Sequence, residues 1–176
     1  MIDVLHIREK ERPAREQIEW FHTLQALLPD AQIYINDRLD AAFAVHARGV
    51  QLAWHSIGVQ SAKRLMQPKC RIGCSVHNVE EAVNAQSAGA DFVLFGHVYE
   101  TASKAGLAGR GAGALRTVVE AVSLPVIALG GITSSNVSDV MKTGCAGVAV
   151  MSAFFMNMDD ESELIKIRYE LDKRRL

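Results

Sequence analysis

The segment "DFVLFGHVYETASKAG" places a histidine directly after an apolar run: His97 follows Gly96, and Lys104 lies near the end of the polar stretch behind it. An imidazole can take and return a proton within one turnover, and a lysine can bind an anionic substrate. Active sites of parallel α/β barrels lie at the carboxyl ends of the strands, which is where this histidine falls. The position permits an acid/base role for His97, but by itself it favours a histidine that merely fills a turn, and both interpretations stay open at this point.

Polar side chains also follow three other apolar segments. In "HIREK", Arg8 is either a clamp for a carboxylate or phosphate or one half of a surface salt bridge, and both interpretations stay open. In "INDRLD", Asn36 and Asp37 are placed to bind a substrate or a metal, although capping of the next helix explains Asp37 by itself. In "GCSVHN", the alternation of a strand puts Ser75 and His77 on one face.

Two turns with small residues come late in the chain. The segment "ALGGI" holds Gly130 and Gly131, and "AVMSAF" holds Met151, Ser152 and Ala153. Barrels that act on phosphate esters often bind the phosphate with backbone N–H groups of the loops after their last two strands. The two turns therefore predict a site for a substrate phosphate.

Seven short segments rich in Val, Ile and Leu alternate with stretches of helical periodicity, which predicts an α/β fold with a parallel sheet. The strand segments are "IDVLHI", "QIYIN", "VQLAW", "RIGCSV", "DFVLFG", "PVIALG" and "GVAVMS". No GxGxxG sequence follows the first strand, so the late turns favour a TIM (β/α)8-type barrel over an open doubly wound sheet. Because such a barrel has eight strands, we expect a single domain over residues 1–176 that either lacks the first βα unit or closes in another way.

The composition excludes several classes of partner. A net charge of −1, from 19 basic and 20 acidic residues, gives no overall field that would attract nucleic acid or an anionic membrane. Cys70, Cys74 and Cys145 contain no CxxC pair, so they predict buried thiols of a reducing cytoplasm. No apolar run approaches the roughly 20 residues of a membrane helix. We expect a cytoplasmic protein that acts on a small molecule, without a cofactor; the sequence leaves its association into a homo-oligomer open.

The ordered set of motifs resembles a known family. The segments "LHIREK", "INDRLDAAF", "GVQL", "IGCSVHNVEEA", "ADFVLFGHVYETASKAGLAGRG", "PVIALGGI" and "GVAVMSAF" run in the order of the thiamine phosphate synthase superfamily. The likeness is greatest to its TenI branch, the thiazole tautomerases, because "GHVYET" stands where the synthases carry a Gly-Pro-Ile-Phe-Pro-Thr type of segment. The resemblance implies a (β/α)8 barrel that aromatises a carboxythiazole phosphate in thiamine biosynthesis.

The resemblance also assigns roles to individual residues. The acid/base histidine of the TenI branch falls on His97, and the loops at Gly130, Gly131 and Ser152 would hold the phosphate of the thiazole substrate. Arg8 and Lys104 would face its carboxylate or its phosphate, an assignment that stays open.

This chain differs from the synthases in the residues that bind magnesium. The synthases use two aspartates for the magnesium of a pyrophosphate substrate; one matches Asp37, and the other falls in "AWHS", where this chain has no acid. A tautomerase moves only a proton, so the sequence predicts a thiazole tautomerase with no tightly bound metal. Two alternatives remain: a thiamine phosphate synthase, and a non-catalytic or regulatory TenI-like protein that binds a thiamine-related ligand.

Overall fold

The computed structural model describes residues 2–53, 55–152 and 161–173. Strands and helices alternate along this part of the chain. The strands are β1 (Val4–Ile7), β2 (Gln32–Asn36), β3 (Gly49–Leu52), β4 (Arg71–Val76), β5 (Phe92–Gly96), β6 (Val126–Leu129) and β7 (Gly147–Ala149). The helices are α1 (Ala14–Leu27), α2 (Leu39–Ala44), α3 (Val59–Leu65), α4 (Val79–Ser87), α5 (Gly111–Ala121), α6 (Val137–Met141) and α7 (Ser162–Asp172), with a 3₁₀ turn at Ala102–Lys104.

The first of two compact units, called here the N-terminal unit, comprises residues 2–75 and 85–92. Its strands pair in parallel and in chain order, with Asn36 of β2 opposite Gln51 of β3, and Gln51 opposite Gly73 of β4. Register partners in a parallel sheet present their side chains to the same face. The polar residues Asn36 and Gln51 therefore lie side by side on one face, while Val50 on the other face is completely buried.

The second unit, called the C-terminal unit, comprises residues 76–84 and 93–176. Strands β5, β6 and β7 pair in parallel, with Gly96 opposite Leu129 and Leu129 opposite Ala149. Helix α5 supplies Leu115 and Val118 to the buried core of this unit. The register brings the ends of β5 and β6 side by side, which determines where the residues after Gly96 and Leu129 lie.

The structure confirms the predicted α/β class, since all seven predicted strands are present among the described residues. Strand β3 begins one residue before the predicted segment and ends at Leu52, and Trp54 of that segment lies outside the described residues. Helix α6 begins after Asn136, whose Oδ1 accepts a hydrogen bond from the Thr133 N–H, and Gly144 beyond its end has a positive φ of 87°. The extent of the domain, 1–176, remains a prediction.

Cys70 and Cys145 are buried, as the sequence predicts, whereas Cys74 is only half-buried, which differs from the prediction. Burial raises the pKa of both Cys70 and Cys74 to about 11, so these groups stay protonated and poorly nucleophilic at neutral pH. Among the described residues, no helix is long and apolar enough to cross a membrane.

The half-buried imidazole of His6 makes stability depend on pH. His6 lies opposite Tyr34, with the two ring centroids 5.4 Å apart, and burial lowers the pKa of His6 from 6.5 to about 4. Between these two values the unfolded chain binds a proton that the folded chain does not, so stability is highest above pH 6.5 and falls as the pH drops toward 4. We expect a loss of about 2 kcal/mol in the free energy of unfolding between pH 7 and pH 5.

Urea denaturation at pH 7, 6 and 5 measures this dependence. The His6→Gln variant should lose most of the decrease, whereas His22→Gln, at an exposed position of α1, should keep it. An equal decrease in His6→Gln and the wild type would show that another group causes it.

Candidate functional site

His97 is almost completely buried, with 6% of its surface exposed, directly after β5. Its Nε2 lies 3.2 Å from the carbonyl oxygen of Leu107. A carbonyl oxygen can only accept a hydrogen bond, so Nε2 carries the hydrogen, and the lone pair of the neutral ring lies on Nδ1. Nδ1 is buried and has no hydrogen-bond partner among the described residues. A buried polar atom of this kind is costly unless a ligand or water supplies the missing partner.

The turn after β6 packs directly against His97. Gly130 and Gly131 have φ values of 105° and 64°, a region that favours glycine. A Cβ atom at Gly130 would lie 2.8 Å from the Cα of His97 and against its Cβ, and one at Gly131 would lie 2.7 Å from the Cβ of Tyr99. The Tyr99 N–H donates to the Gly130 carbonyl at 3.0 Å. Both glycines are therefore needed for the close approach of this turn to the chain around His97.

A cleft of about 490 Å³ borders the loop that carries Lys104, and residues 100–102 and 104–108 line it. The far end of the loop is held to the end of β5, since the Arg110 N–H donates to the His97 carbonyl at 3.0 Å and Arg110 Nε donates to the Gly96 carbonyl at 3.1 Å. Lys104 itself is exposed. The loop thus brings a cation to the cleft and, through Leu107, the carbonyl that orients His97.

The turn after β7 holds the last two of the predicted phosphate-binding residues. Met151 is 41% exposed and Ser152 is half-buried, while Ala153 lies outside the described residues. Within the C-terminal unit, the structure thus brings His97 together with Gly130 and Gly131. A role of Met151 and Ser152 in binding phosphate remains a prediction.

In the N-terminal unit, Asp37 does not cap α2, contrary to the capping interpretation. The N-cap of α2 is Arg38, and no side chain caps this helix. Asp37 has a φ of 65°, and its carboxylate instead accepts a hydrogen bond from Ser56 Oγ and lies 3.1 Å from His55 Nε2. The loop after β3 therefore supplies a hydroxyl and an imidazole to the acid that follows β2.

Three other predicted residues lie in the same unit. Arg8 is exposed just beyond β1 and forms no ion pair within the described part of the chain, so the salt-bridge interpretation has no support there. Asn36 and Ser75 are half-buried near the ends of β2 and β4. Gln51, which was not predicted from the sequence, donates a hydrogen bond to Ser75 Oγ at 3.1 Å. The signal that could have revealed it is a single polar residue inside the buried segment "GVQL".

The magnesium that the family implies does not fit a site made by protein side chains alone. The described residues contain no group of three or more His, Cys, Asp or Glu side chains that could hold an ion. Magnesium prefers oxygen ligands in an octahedral arrangement. The Asp37 carboxylate is engaged by Ser56 and by a nitrogen of His55, and this donor set is poorly suited to magnesium.

The parallel α/β arrangement of the described strands and helices is of the TIM-like class. A family model described as thiamine monophosphate synthase (TMP-TENI) matches residues 1–154, and the chain belongs to this family. A thiamine-phosphate synthase from Pyrococcus furiosus is 41% identical over 151 residues, which are 85% of this chain and 72% of that protein. One from Methanoculleus marisnigri is 42% identical over 155 residues, covering 86% of this chain and 73% of the relative.

The solved structures agree with this assignment. A thiamine phosphate pyrophosphorylase from Pyrococcus furiosus superposes with a TM-score of 0.88 and is 37% identical, covering 97% of this chain and 83% of the other. A 3-hexulose-6-phosphate synthase superposes with a TM-score of 0.75 at 17% identity, over 96% of this chain and 86% of the other, and shows the fold alone. These similarities confirm the predicted TIM-type barrel class.

The predicted thiazole tautomerase activity is wrong. Relatives that share 34–42% of their residues over most of the chain are named thiamine-phosphate synthase. The prediction depended on a single position, the histidine in "GHVYET". Such a position determines what one side chain can do, but several other groups are needed to determine the reaction.

Proposed function

We propose that the chain is a thiamine-phosphate synthase, a transferase that joins a pyrimidine pyrophosphate to a thiazole phosphate. The identity of 41% to a protein of that name, over 85% of the chain, carries the proposal. In this reaction the bond from the pyrimidine methylene carbon to oxygen breaks, pyrophosphate leaves with the electron pair, and the thiazole nitrogen forms the new bond to carbon. The protein must therefore hold two phosphate-bearing groups and stabilise the charge of the leaving one.

The residues of each unit have separate proposed roles. The turn at Gly130 and Gly131, together with Ser152, would hold the phosphate of the thiazole substrate through backbone N–H groups. Arg8 and Lys104 are exposed cations suited to bind phosphate oxygens, and Asn36 and Ser75 would add neutral hydrogen bonds. His97, when both of its ring nitrogens are protonated, would give the Nδ1 proton to a phosphate oxygen and would return to the neutral ring, whose Nε2–H is held by the Leu107 carbonyl.

An assay of pyrophosphate release tests this proposal. The purified chain is incubated with both substrates, and with each one alone, in the presence and absence of magnesium. Release of pyrophosphate that requires both substrates is expected. Binding of either substrate with no release under any of these conditions would contradict the proposal and would leave a non-catalytic binding protein as the explanation.

A further inference from the structure

Gln51 is a polar residue in the centre of an apolar environment. It is only 1% exposed, and its chain neighbours Val50 and Leu52 are 0% and 3% exposed. Gln51 lies in the N-terminal unit on β3, opposite Gly73 of β4. A buried amide lowers stability unless its polar atoms are hydrogen-bonded, so each of its bonds needs an explanation.

The orientation of the Gln51 amide follows from its partners. Nε2 lies 3.2 Å from the Leu52 carbonyl oxygen and 3.1 Å from Ser75 Oγ. Because a carbonyl oxygen can only accept, the nitrogen of the amide must face Leu52, and the reversed amide is excluded. Both hydrogens of Nε2 are then used, one for the Leu52 carbonyl and one for Ser75.

The same arrangement leaves one atom of Gln51 without a partner. Oε1 is buried and accepts no hydrogen bond among the described residues. Gly73 provides the space for it, because a Cβ there would lie 2.6 Å from Oε1 and would also collide with Phe92. A buried acceptor without a donor lowers stability, and an apolar residue of the same shape would avoid this loss. Stability alone therefore does not explain a glutamine at this position.

The geometry at Ser75 offers an explanation. Ser75 Oγ accepts a hydrogen from Gln51, so the hydroxyl must direct its own proton elsewhere. Within the described ranges, no acceptor for this proton is present, and Ser75 is only half-buried. The hydroxyl is thus held as a donor with one lone pair already occupied.

We propose that Gln51 is a positioning residue, which fixes the Ser75 hydroxyl so that it donates to a phosphate oxygen of the substrate. This inference rests on the proposed function, because it takes the substrates to be phosphate esters. The phosphate oxygen belongs either to the pyrophosphate group or to the thiazole phosphate, and the binding experiment separates these two sources.

The experiment is a double-mutant cycle on ligand affinity. Wild type, Gln51→Met, Ser75→Ala and the double variant are titrated calorimetrically with inorganic pyrophosphate and, separately, with thiazole phosphate. Each single variant should bind one of these ligands about 10- to 150-fold more weakly, the loss expected for one hydrogen bond to a charged group. The double variant should be no weaker than Ser75→Ala, because Gln51 acts only through Ser75. The ligand with weakened binding identifies the source of the oxygen.

Thermal denaturation distinguishes positioning from a structural role. Gln51→Met removes two hydrogen bonds and also one unpaired acceptor, so its Tm should stay close to that of the wild type. Independent, additive losses of affinity in the two single variants would overturn the inference, and so would unchanged affinity for both ligands. If the wild-type protein binds these ligands but releases no pyrophosphate, the proposed function is refuted. The coupling between Gln51 and Ser75 in ligand binding can still be measured in that case.

Discussion

Replacing Gly130 with alanine is expected to lower kcat/KM for pyrophosphate release by at least about 100-fold, since displacement of a catalytic group by 1 Å can have an effect of this size. The added Cβ meets the Cα of His97 at 2.8 Å, and the φ of 105° is unfavourable for any residue other than glycine. The turn or the histidine must move to accommodate it. Steady-state kinetics and thermal denaturation measure the two consequences.

The stability of the same variant should fall by about 3 kcal/mol, from overpacking together with the positive φ. For a chain of this size that loss corresponds to a decrease in Tm of roughly 6–12 °C. The matched control is Gly113→Ala, since Gly113 lies within α5 and no heavy atom is found within 4 Å of its added Cβ. The control should keep full activity and gain about 0.5–1 kcal/mol, because alanine favours a helix. Equal activities of the two variants would show that the turn at Gly130 does not position the site.

Replacing His97 with alanine is expected to lower kcat by about 100- to 1000-fold while the chain remains folded, the usual effect of removing a general acid. The physical reason is the buried Nδ1, which has no partner among the described residues and is the atom available to a ligand. Rapid-quench measurement of the chemical step, with circular dichroism as the check on folding, gives the required data.

Two companion variants make the result specific. His97→Gln keeps a polar group of similar reach and should restore ligand affinity but not kcat, since an amide cannot transfer a proton at neutral pH. His22→Ala changes an exposed imidazole on α1 and should behave as the wild type. A kcat of His97→Ala within threefold of the wild type would show that His97 is not catalytic and that it only fills a turn.

The sequence was sufficient to place His97 at a strand end, because an apolar run followed by Gly-His has few other interpretations in an α/β chain. It was insufficient to show that the Leu107 carbonyl, ten residues away, selects the tautomer of that histidine. A contact of this kind depends on the path of the loop that brings Leu107 back to the end of β5. The periodicity of apolar residues predicts helices and strands, but it does not predict the path of a loop.

Asp37 and Gln51 illustrate the same limit in the N-terminal unit. A helix cap is the local interpretation of Asp37, but the partners of its carboxylate come from the loop after the next strand, 18 and 19 residues away. Gln51 was not predicted because it is a single polar residue in a short, otherwise apolar strand. Its polar partner Ser75 also lies 24 residues further along the chain. Strand register produced both arrangements, and register was not predicted from the sequence.

The reaction itself was the main error of the sequence analysis. Replacement of a synthase proline by His97 was taken to define the chemistry, although the relatives named thiamine-phosphate synthase match 85% or more of the chain at up to 42% identity. His97 lies beside the Gly130 turn, so its proposed role in proton transfer is compatible with a phosphate site at that turn.

The most direct test of the proposed synthase activity is detection of the joined product. Mass spectrometry of reactions quenched over time measures thiamine phosphate and pyrophosphate together. We predict that the wild-type chain forms them in equal amounts and that His97→Ala forms both at least about 100-fold more slowly. Pyrophosphate formed without thiamine phosphate, or neither product at saturating concentrations of both substrates, would contradict the assignment of synthase activity to this chain.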